Sequence, residues 1–191
     1  GLRYFKIKVC GEDEGDLQRI EELTRLFEER CADGYSITLD GNEQYRDPRQ
    51  LTGLLKKLEQ DPSTQRFCER ILFIEQPLSR ETALSAEIEE GLRELAGTRP
   101  IIIDESDDNL DSFERATALG YRGTSHKNCK GIFKSLHNRR LICELNREAG
   151  EELFFQSAED LANLPVIPLQ QDLAAVAALG ILHVERNGHH Y

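Results

Sequence analysis

Three acidic residues, Asp40, Glu75 and Asp104, each follow a short apolar run in the sequence. They lie 35 and 29 residues apart, which is the length of one strand–helix unit. Because equivalent strand ends in a parallel sheet lie roughly 5 Å apart, the three carboxylates would repel one another unless a cation lay between them. Carboxylate oxygens are the ligands that hard divalent cations prefer. The spacing therefore predicts a site for Mg²⁺, with Mn²⁺ as a possible substitute.

Each carboxylate also has a structural explanation when it is taken alone. Asp40 could shape a turn, Glu75 could end a strand, and Asp104 could begin a helix. Three such residues in succession, each about one strand–helix unit after the last, favour a shared metal site over three separate structural roles.

Lysines flank the three carboxylates in the sequence. Lys6 and Lys8 are two residues apart in the first strand-like run, so both side chains point to one face, and Lys127 follows Asp104 by 23 residues. An ammonium group near another cation or in a partly dry pocket has a lowered pKa and can act as a base. The alternative is that these lysines extend to solvent at the rim of the sheet. Their positions on both sides of the carboxylates favour a catalytic role.

The elements that would position these residues alternate between strand and helix patterns. Apolar or β-branched runs predict seven strands, at residues 4–9, 35–39, 71–74, 101–103, 121–125, 153–155 and 181–185. Apolar residues at intervals of three and four predict six helices, near residues 17–31, 51–58, 84–95, 110–119, 132–145 and 169–179. Asp16 is the predicted N-cap of the first helix.

Continuous apolar strands separated by helices predict an α/β fold with a parallel sheet that helices cover. An open doubly wound sheet and a (β/α) barrel both fit this pattern. No glycine-rich phosphate loop follows the first strand and no GxxxxGK[ST] motif occurs, which disfavours a nucleotide-binding sheet.

The composition excludes several classes of protein. The chain has 191 residues, of which 39% are hydrophobic, so we expect one domain over residues 1–191 with a real core. A net charge of −11 disfavours nucleic acid as a partner, and no apolar run approaches the roughly 20 residues that cross a bilayer. Five scattered cysteines without a CxxC pair are typical of a reducing compartment, so we expect a cytoplasmic protein.

The start of the sequence bears on its completeness. The chain contains no Met and opens directly on the strand-like run at residues 2–9. This run lacks the charged segment followed by an apolar stretch that is typical of a signal peptide. We expect the sequence to be part of a longer protein.

The ordered set of motifs resembles the enolase superfamily, and within it the mandelate racemase and muconate lactonizing enzyme branch. The motifs are Lys6-Ile7-Lys8, Asp40-Gly41-Asn42, Glu75-Gln76-Pro77, Asp104-Glu105-Ser106 and Lys127. The resemblance covers essentially the whole chain and implies a modified TIM barrel, (β/α)7β. In that comparison the chain is a partial C-terminal catalytic barrel domain that lacks the first strand and the N-terminal α+β capping domain.

The resemblance implies a catalytic role for each charged motif residue. One Mg²⁺ would be bound by the three carboxylates Asp40, Glu75 and Asp104, and would hold the carboxylate of the substrate. Lys8 would remove the proton α to that carboxylate, and Lys6 would lower the pKa of Lys8 and touch the substrate. Lys127 would be the second acid/base, on the opposite face of the substrate. Asn42 and Glu185 are candidates for substrate contact, and a structural role fits Glu185 equally well.

The implied activity is that of an isomerase or a lyase acting on a small carboxylate. Racemisation or epimerisation, dehydration and cycloisomerisation all follow from one metal-stabilised enediolate. With this activity we expect a homo-oligomer that has neither a nucleic acid nor a membrane as its partner.

The sequence departs from the branch at two of the motifs. Gln76 stands before Pro77, where many relatives have a second acid, and Lys127 lacks the usual double glycine after it. A lysine at position 127 without a His–Asp dyad argues against a mandelate racemase-type pair. It favours the two-lysine arrangement of the lactonizing, succinylbenzoate synthase and dipeptide epimerase groups.

Two other functions fit parts of the pattern. A catalytically silent barrel would keep the same residues as a binding or structural module. A phosphate-binding barrel enzyme of unrelated chemistry would need glycine-rich loops after the last two strands, where Gly188 alone is poor support.

Overall fold

The structure is a computed structural model that describes residues 2–31, 34–159 and 166–186, so Gly188 lies outside the described residues. The described strands are β1 Tyr4–Lys8, β2 Ser36–Asp40, β3 Ile71–Glu75, β4 Ile101–Ile103, β5 Gly123–His126, β6 Phe155–Glu159 and β7 Val184–Glu185. The described α-helices are α1 Asp13–Arg30, α2 Pro48–Gln60, α3 Gln65–Glu69, α4 Glu89–Ala96, α5 Ser112–Leu119, α6 Ile132–Ala149 and α7 Ile167–Leu179. Short 3₁₀ turns lie at Ala86–Ile88 and Asn128–Lys130.

The chain forms two compact units. The first comprises residues 1–102 with 119–121, and the second comprises residues 103–118 with 122–191. Within the described ranges, no helix combines the length and the apolar character that crossing a membrane requires. The prediction of one domain over the whole chain stays a prediction.

The first unit is built on parallel strands in chain order, β1 to β4. Helix α2 begins with Pro48 at its first turn and a capping box between Asp47 and Gln50, which supply partners for its first backbone N–H groups. Its buried apolar stripe is formed by Leu51, Leu54, Leu55 and Leu58. The ladder pairing of the first three strands fixes their register, and their carboxyl ends carry three of the predicted site residues.

The second unit contains parallel pairs of β5 with β6 and of β6 with β7. Its small apolar cluster is formed by Ala158, Leu179 and Ile181, packed against Val176 and Val184. Helix α6 differs from an ordinary amphipathic helix because most of its buried side chains are polar: Lys134, Ser135, Asn138 and Asn146, with Ile142. The polar side chains bond to the strands and loops beside α6.

Two predicted local features are wrong in the structure. Asp16 does not cap α1, which begins at Asp13 after an N-cap at Glu12. The Asp16 carboxylate instead accepts the backbone N–H groups of Cys10 and Gly11 and so closes the turn after β1. This carboxylate is fully buried, and Arg19 bonds it at 2.7 Å.

The second error concerns β6. The apolar run at residues 153–155 predicts a strand, but the strand spans Phe155–Glu159, most of whose residues are not aliphatic. Asn146 explains the shift, because its side-chain oxygen accepts the N–H groups of Leu153 and Phe154 and holds them outside the ladder. The displaced strand ends at Glu159, a carboxylate that the sequence pattern did not single out.

Candidate active site

Strands β1, β2 and β3 end at the same level. Lys8 pairs with Asp40 in the first ladder, and Asp40 pairs with Glu75 in the second. The two carboxylates are buried, with 2% of Asp40 and 4% of Glu75 exposed. Burying a carboxylate without a partner is costly, so each must be matched by positive charge or hydrogen bonds.

Lys6 supplies that positive charge to both carboxylates. Its ammonium nitrogen lies 2.9 Å from Oδ2 of Asp40 and 2.9 Å from Oε2 of Glu75, and 12% of its side chain is exposed. Both carboxylates therefore contact the same ammonium group. A pair of oxygens that can share one cation in this way fits the ligand chemistry of Mg²⁺.

Lys8 lies at the open side of the same group. Its side chain is 65% exposed, and its ammonium lies 3.6 Å from Oδ2 of Asp40. It also donates to the side-chain oxygen of Asn42, whose backbone N–H donates to Oδ1 of Asp40 at 2.9 Å. The first unit therefore brings Lys6, Lys8, Asn42, Asp40 and Glu75 together, with the ammonium of Lys6 largely shielded from solvent and that of Lys8 accessible.

The loops that follow Asp40 and Glu75 have strained backbones. Asn42, Glu43 and Gln76 have φ values of 40°, 65° and 31°, which non-glycine residues adopt at a cost of about 1–3 kcal/mol each. Backbone N–H groups tie the loops together, since Glu43 donates to the carbonyl of Gln76 at 2.9 Å. Strain of this kind persists only where the surrounding contacts fix the backbone, and it is common at functional sites.

Gly41 is required by the close approach of these two loops. A Cβ atom at this position would lie 2.5 Å from Cα of Pro77, closer than two carbon atoms can pack. Its backbone N–H donates to the carbonyl of Glu75 at 2.9 Å. The Asp40-Gly41-Asn42 motif thus places the first carboxylate directly beside the strand that carries the second.

In the second unit, Asp104 is bound by two lysines. Its Oδ2 lies 2.7 Å from the ammonium of Lys127, and its Oδ1 lies 2.7 Å from that of Lys130. Lys130 also donates to the backbone carbonyls of Asp104 and Ser125, at 2.7 and 2.9 Å. Burial alone would raise the pKa of Asp104, but Lys130 and Lys127 lower it, so this carboxyl is ionised.

Lys127 also contacts Glu159, at the end of β6. Its ammonium lies 2.6 Å from Oε1 of Glu159, and the two side chains are 13% and 9% exposed. Burial alone would lower the pKa of Lys127, but contact with Asp104 and Glu159 raises it above its usual range. Lys127 is therefore an ammonium at neutral pH that holds its proton more tightly than an exposed lysine does, and the lowered pKa expected from the sequence is wrong for this residue.

Glu159 and Lys130 are site residues that sequence reasoning missed. Carboxylate oxygens of Asp104 and Glu159 lie within 4.8 Å of each other. The rule that found Asp40 and Glu75, an acid at a strand end, would have found Glu159 if β6 had been placed correctly. Glu185, a predicted substrate contact, pairs with Glu159 in the next ladder.

The structure thus places the predicted residues in two groups. Lys6, Lys8, Asn42, Asp40 and Glu75 lie together in the first unit, and Asp104 lies with Lys127 in the second. Each group has a lysine ammonium between two carboxylates. The shared binding of one metal ion by Asp40, Glu75 and Asp104 stays a prediction.

The fold is similar to that of several solved structures. A mandelate racemase/muconate lactonizing enzyme from Roseiflexus sp. is 23% identical, with a TM-score of 0.67 over 95% of this chain and 47% of that one. A dipeptide epimerase from Methylococcus capsulatus, complexed with a Mg ion, is 21% identical, with a TM-score of 0.66 over 98% of this chain and 49% of that one. A muconate cycloisomerase from Azorhizobium caulinodans is 20% identical, with a TM-score of 0.58 over 99% of this chain and 55% of that one.

These similarities confirm the predicted fold class, a modified TIM barrel of the α/β class. The solved structures include mandelate racemase and muconate lactonizing enzymes, the branch that the sequence motifs resemble. The chain spans about half the length of these structures. No protein-family model matches the sequence, and no curated protein matches it.

Proposed function

We propose that this chain carries the catalytic residues of a divalent-metal-dependent isomerase or lyase that removes a proton α to a carboxylate. Racemisation or epimerisation, dehydration and cycloisomerisation are the reactions open to such a site. The observation that carries the proposal is the convergence of Asp40 and Glu75 on one cation, with the exposed ammonium of Lys8 beside them. The fold, shared with epimerase and cycloisomerase structures, supports the same reaction class.

The metal assignment is part of the proposal. Asp40, Glu75 and Asp104 would hold Mg²⁺, with Mn²⁺ as a possible substitute, because buried carboxylates are the donors that these cations prefer. When bound, Mg²⁺ would act as a Lewis acid toward the negative charge that develops on the substrate carboxylate. The similar dipeptide epimerase structure was solved with a Mg ion.

The surroundings of each lysine indicate which proton transfer it would carry out. Lys8 is the more accessible, with 65% of its side chain exposed, and in its neutral amine form it would take the α-proton at Nζ. Lys127 would return a proton, and its contacts with Asp104 and Glu159, which raise its pKa, would have to weaken as it does so. Lys6 is fixed between Asp40 and Glu75, so its role is to neutralise these carboxylates and to keep positive charge near the substrate.

Residues near the same strand ends would contact the substrate. Asn42 already accepts a hydrogen bond from Lys8 and would orient the Nζ atom of that lysine toward the substrate. Glu185 would contact the substrate from the end of β7. We expect a small carboxylate substrate and a homo-oligomeric protein in the cytoplasm, without a nucleic acid or a membrane as partner.

The test is exchange of the substrate α-proton with deuterated solvent, followed by NMR or mass spectrometry. The complete protein that contains this chain would be screened against dipeptides and acid sugars, with and without Mg²⁺. We expect Lys8→Ala or chelation of the metal to abolish exchange, and Lys56→Ala to leave it intact. Lys56 is a matched control because it is an exposed lysine that pairs with Glu94 on the surface of the first unit.

Undiminished exchange in Lys8→Ala, or after metal removal, would reject the proposed mechanism. Tight binding of Mg²⁺ without exchange of any acid would instead favour a catalytically silent barrel that serves as a binding module.

A further inference from the structure

We propose that Glu159 is a positioning residue that holds the ammonium of Lys127. The proposal rests on the proposed function for the catalytic role of Lys127, but the contact itself can be tested without turnover. Lys127 has four rotatable side-chain carbons, so a single carboxylate would leave its ammonium free to pivot. Two carboxylates from different parts of the unit, Asp104 and Glu159, fix the nitrogen at 2.7 and 2.6 Å.

Positive and negative side chains alternate in a row around Asp104. Glu159 contacts Lys127, Lys127 contacts Asp104, and Asp104 contacts Lys130, with distances of 2.6 to 2.7 Å throughout. All four side chains are 14% exposed or less. Screening by water is therefore weak, and each contact constrains the next.

Lys127 and Lys130 each have a further hydrogen-bond or ion-pair partner besides the Asp104 carboxylate. Lys130 is held by the backbone carbonyls of Asp104 and Ser125, and Lys127 is held by Glu159. A divalent cation on Asp104 would repel both ammonium groups. Glu159 would then keep Lys127 at the site instead of letting it move to solvent, which leaves its proton within reach of the substrate.

The alternative explanation is that Glu159 adds only negative charge at the end of β6. The two roles differ in whether the effect of Glu159 requires Lys127. A positioning residue loses its effect once Lys127 is gone, whereas a general negative charge, or a direct metal ligand, keeps its effect.

The direct test is NMR of the lysine ammonium groups in the metal-free chain. We expect Lys127 to give a slowly exchanging ¹H–¹⁵N signal in the wild type and to lose it in Glu159→Gln, with Glu159→Asp intermediate. Glu144→Gln is the matched control, because Glu144 lies in the same unit and bonds Arg140 at 2.6 Å on the surface. Circular dichroism would establish that each variant is folded. An unchanged Lys127 signal in folded Glu159→Gln would overturn the proposal.

A second test measures Mn²⁺ affinity by calorimetry in a double-mutant cycle of Glu159→Gln and Lys127→Met. We expect Glu159→Gln to change Mn²⁺ affinity in the wild-type background and to change it less than twofold in the Lys127→Met background. Equal effects in both backgrounds would overturn the positioning role. A chain that binds no Mn²⁺ would contradict the proposed metal dependence, and the NMR signal of Lys127 would still decide the role of Glu159.

Discussion

The ammonium nitrogen of Lys6 lies 2.9 Å from Oε2 of Glu75, although the strands that carry these residues are separated by β2. The lysine reaches across Asp40, which it also contacts at 2.9 Å. One largely shielded cation therefore offsets part of the charge of two buried carboxylates that ladder pairing brings together.

Lys6→Met should destabilise the chain by about 3 kcal/mol, because it leaves two carboxylates buried without the cation that they share. Urea denaturation measures this change. Lys56→Met is the control, and the loss of its exposed pair with Glu94 should cost no more than about 1 kcal/mol. Equal stabilities of the two variants would contradict the buried pairing. Added Mn²⁺ should reduce the Lys6→Met deficit if the carboxylates can bind a divalent cation.

Lys8→Ala should separate catalysis from folding. Its side chain is 65% exposed, so the free energy of unfolding should change by no more than about 0.5 kcal/mol. The same variant should lose exchange of the α-proton completely, as the proposed role of Lys8 requires. A variant that unfolds at a much lower urea concentration would show that Lys8 is structural.

Gly41→Ala should destabilise the chain by about 2 kcal/mol or more, because the new Cβ atom would lie 2.5 Å from Cα of Pro77. Gly53→Ala is the matched control within α2, where an added Cβ meets no atom within 4 Å. That variant should be more stable than the wild type by about 0.5–1 kcal/mol, since alanine favours helix. Thermal or urea unfolding of both variants checks the prediction, and a neutral Gly41→Ala would contradict the close approach of the loops.

His126 should make the stability of the chain pH-dependent. Burial lowers the pKa of His126 below its usual value of 6.5, and its Nδ1 lies 2.5 Å from Oγ of Ser135. The unfolded chain therefore binds a proton more readily than the folded chain. Stability should fall as the pH drops below about 6.5, by at most about 1.4 kcal/mol per pH unit for this one group.

Urea unfolding between pH 8 and pH 5 measures this dependence. His126→Gln should flatten the profile in that window, because it removes the buried group whose protonation the folded chain disfavours. Identical profiles for the wild type and His126→Gln would show that another group is responsible.

The elements of the first unit could be predicted closely from the sequence. Strand β4 is a run of three isoleucines, and α2 has its leucines on one face, so local pattern and burial agree. The spacing of Asp40 and Glu75 then follows from the length of a strand–helix unit. Short-range pattern was sufficient there because the buried faces are apolar.

The second unit was harder to predict because polar contacts decide its structure. Asn146 holds residues 153 and 154 outside the ladder, and β6 begins at Phe155 and ends in the unpredicted Glu159. Asp16 illustrates the same point in the first unit, since its carboxylate closes the turn after β1 instead of capping the helix. A side chain that bonds the backbone several residues away leaves no periodic signal in the sequence.

The alternation of strands and helices, and with it the acids that end β2 and β3 and follow β4, could be predicted from local pattern. Local pattern was sufficient because hydrophobic burial repeats along the chain with the period of each element. The pairing of each lysine with its carboxylates, and the contact of Glu159 with Lys127, are set by the folded chain. Those pairings depend on strand register and on distances between residues far apart in the chain, which the order of residues does not specify.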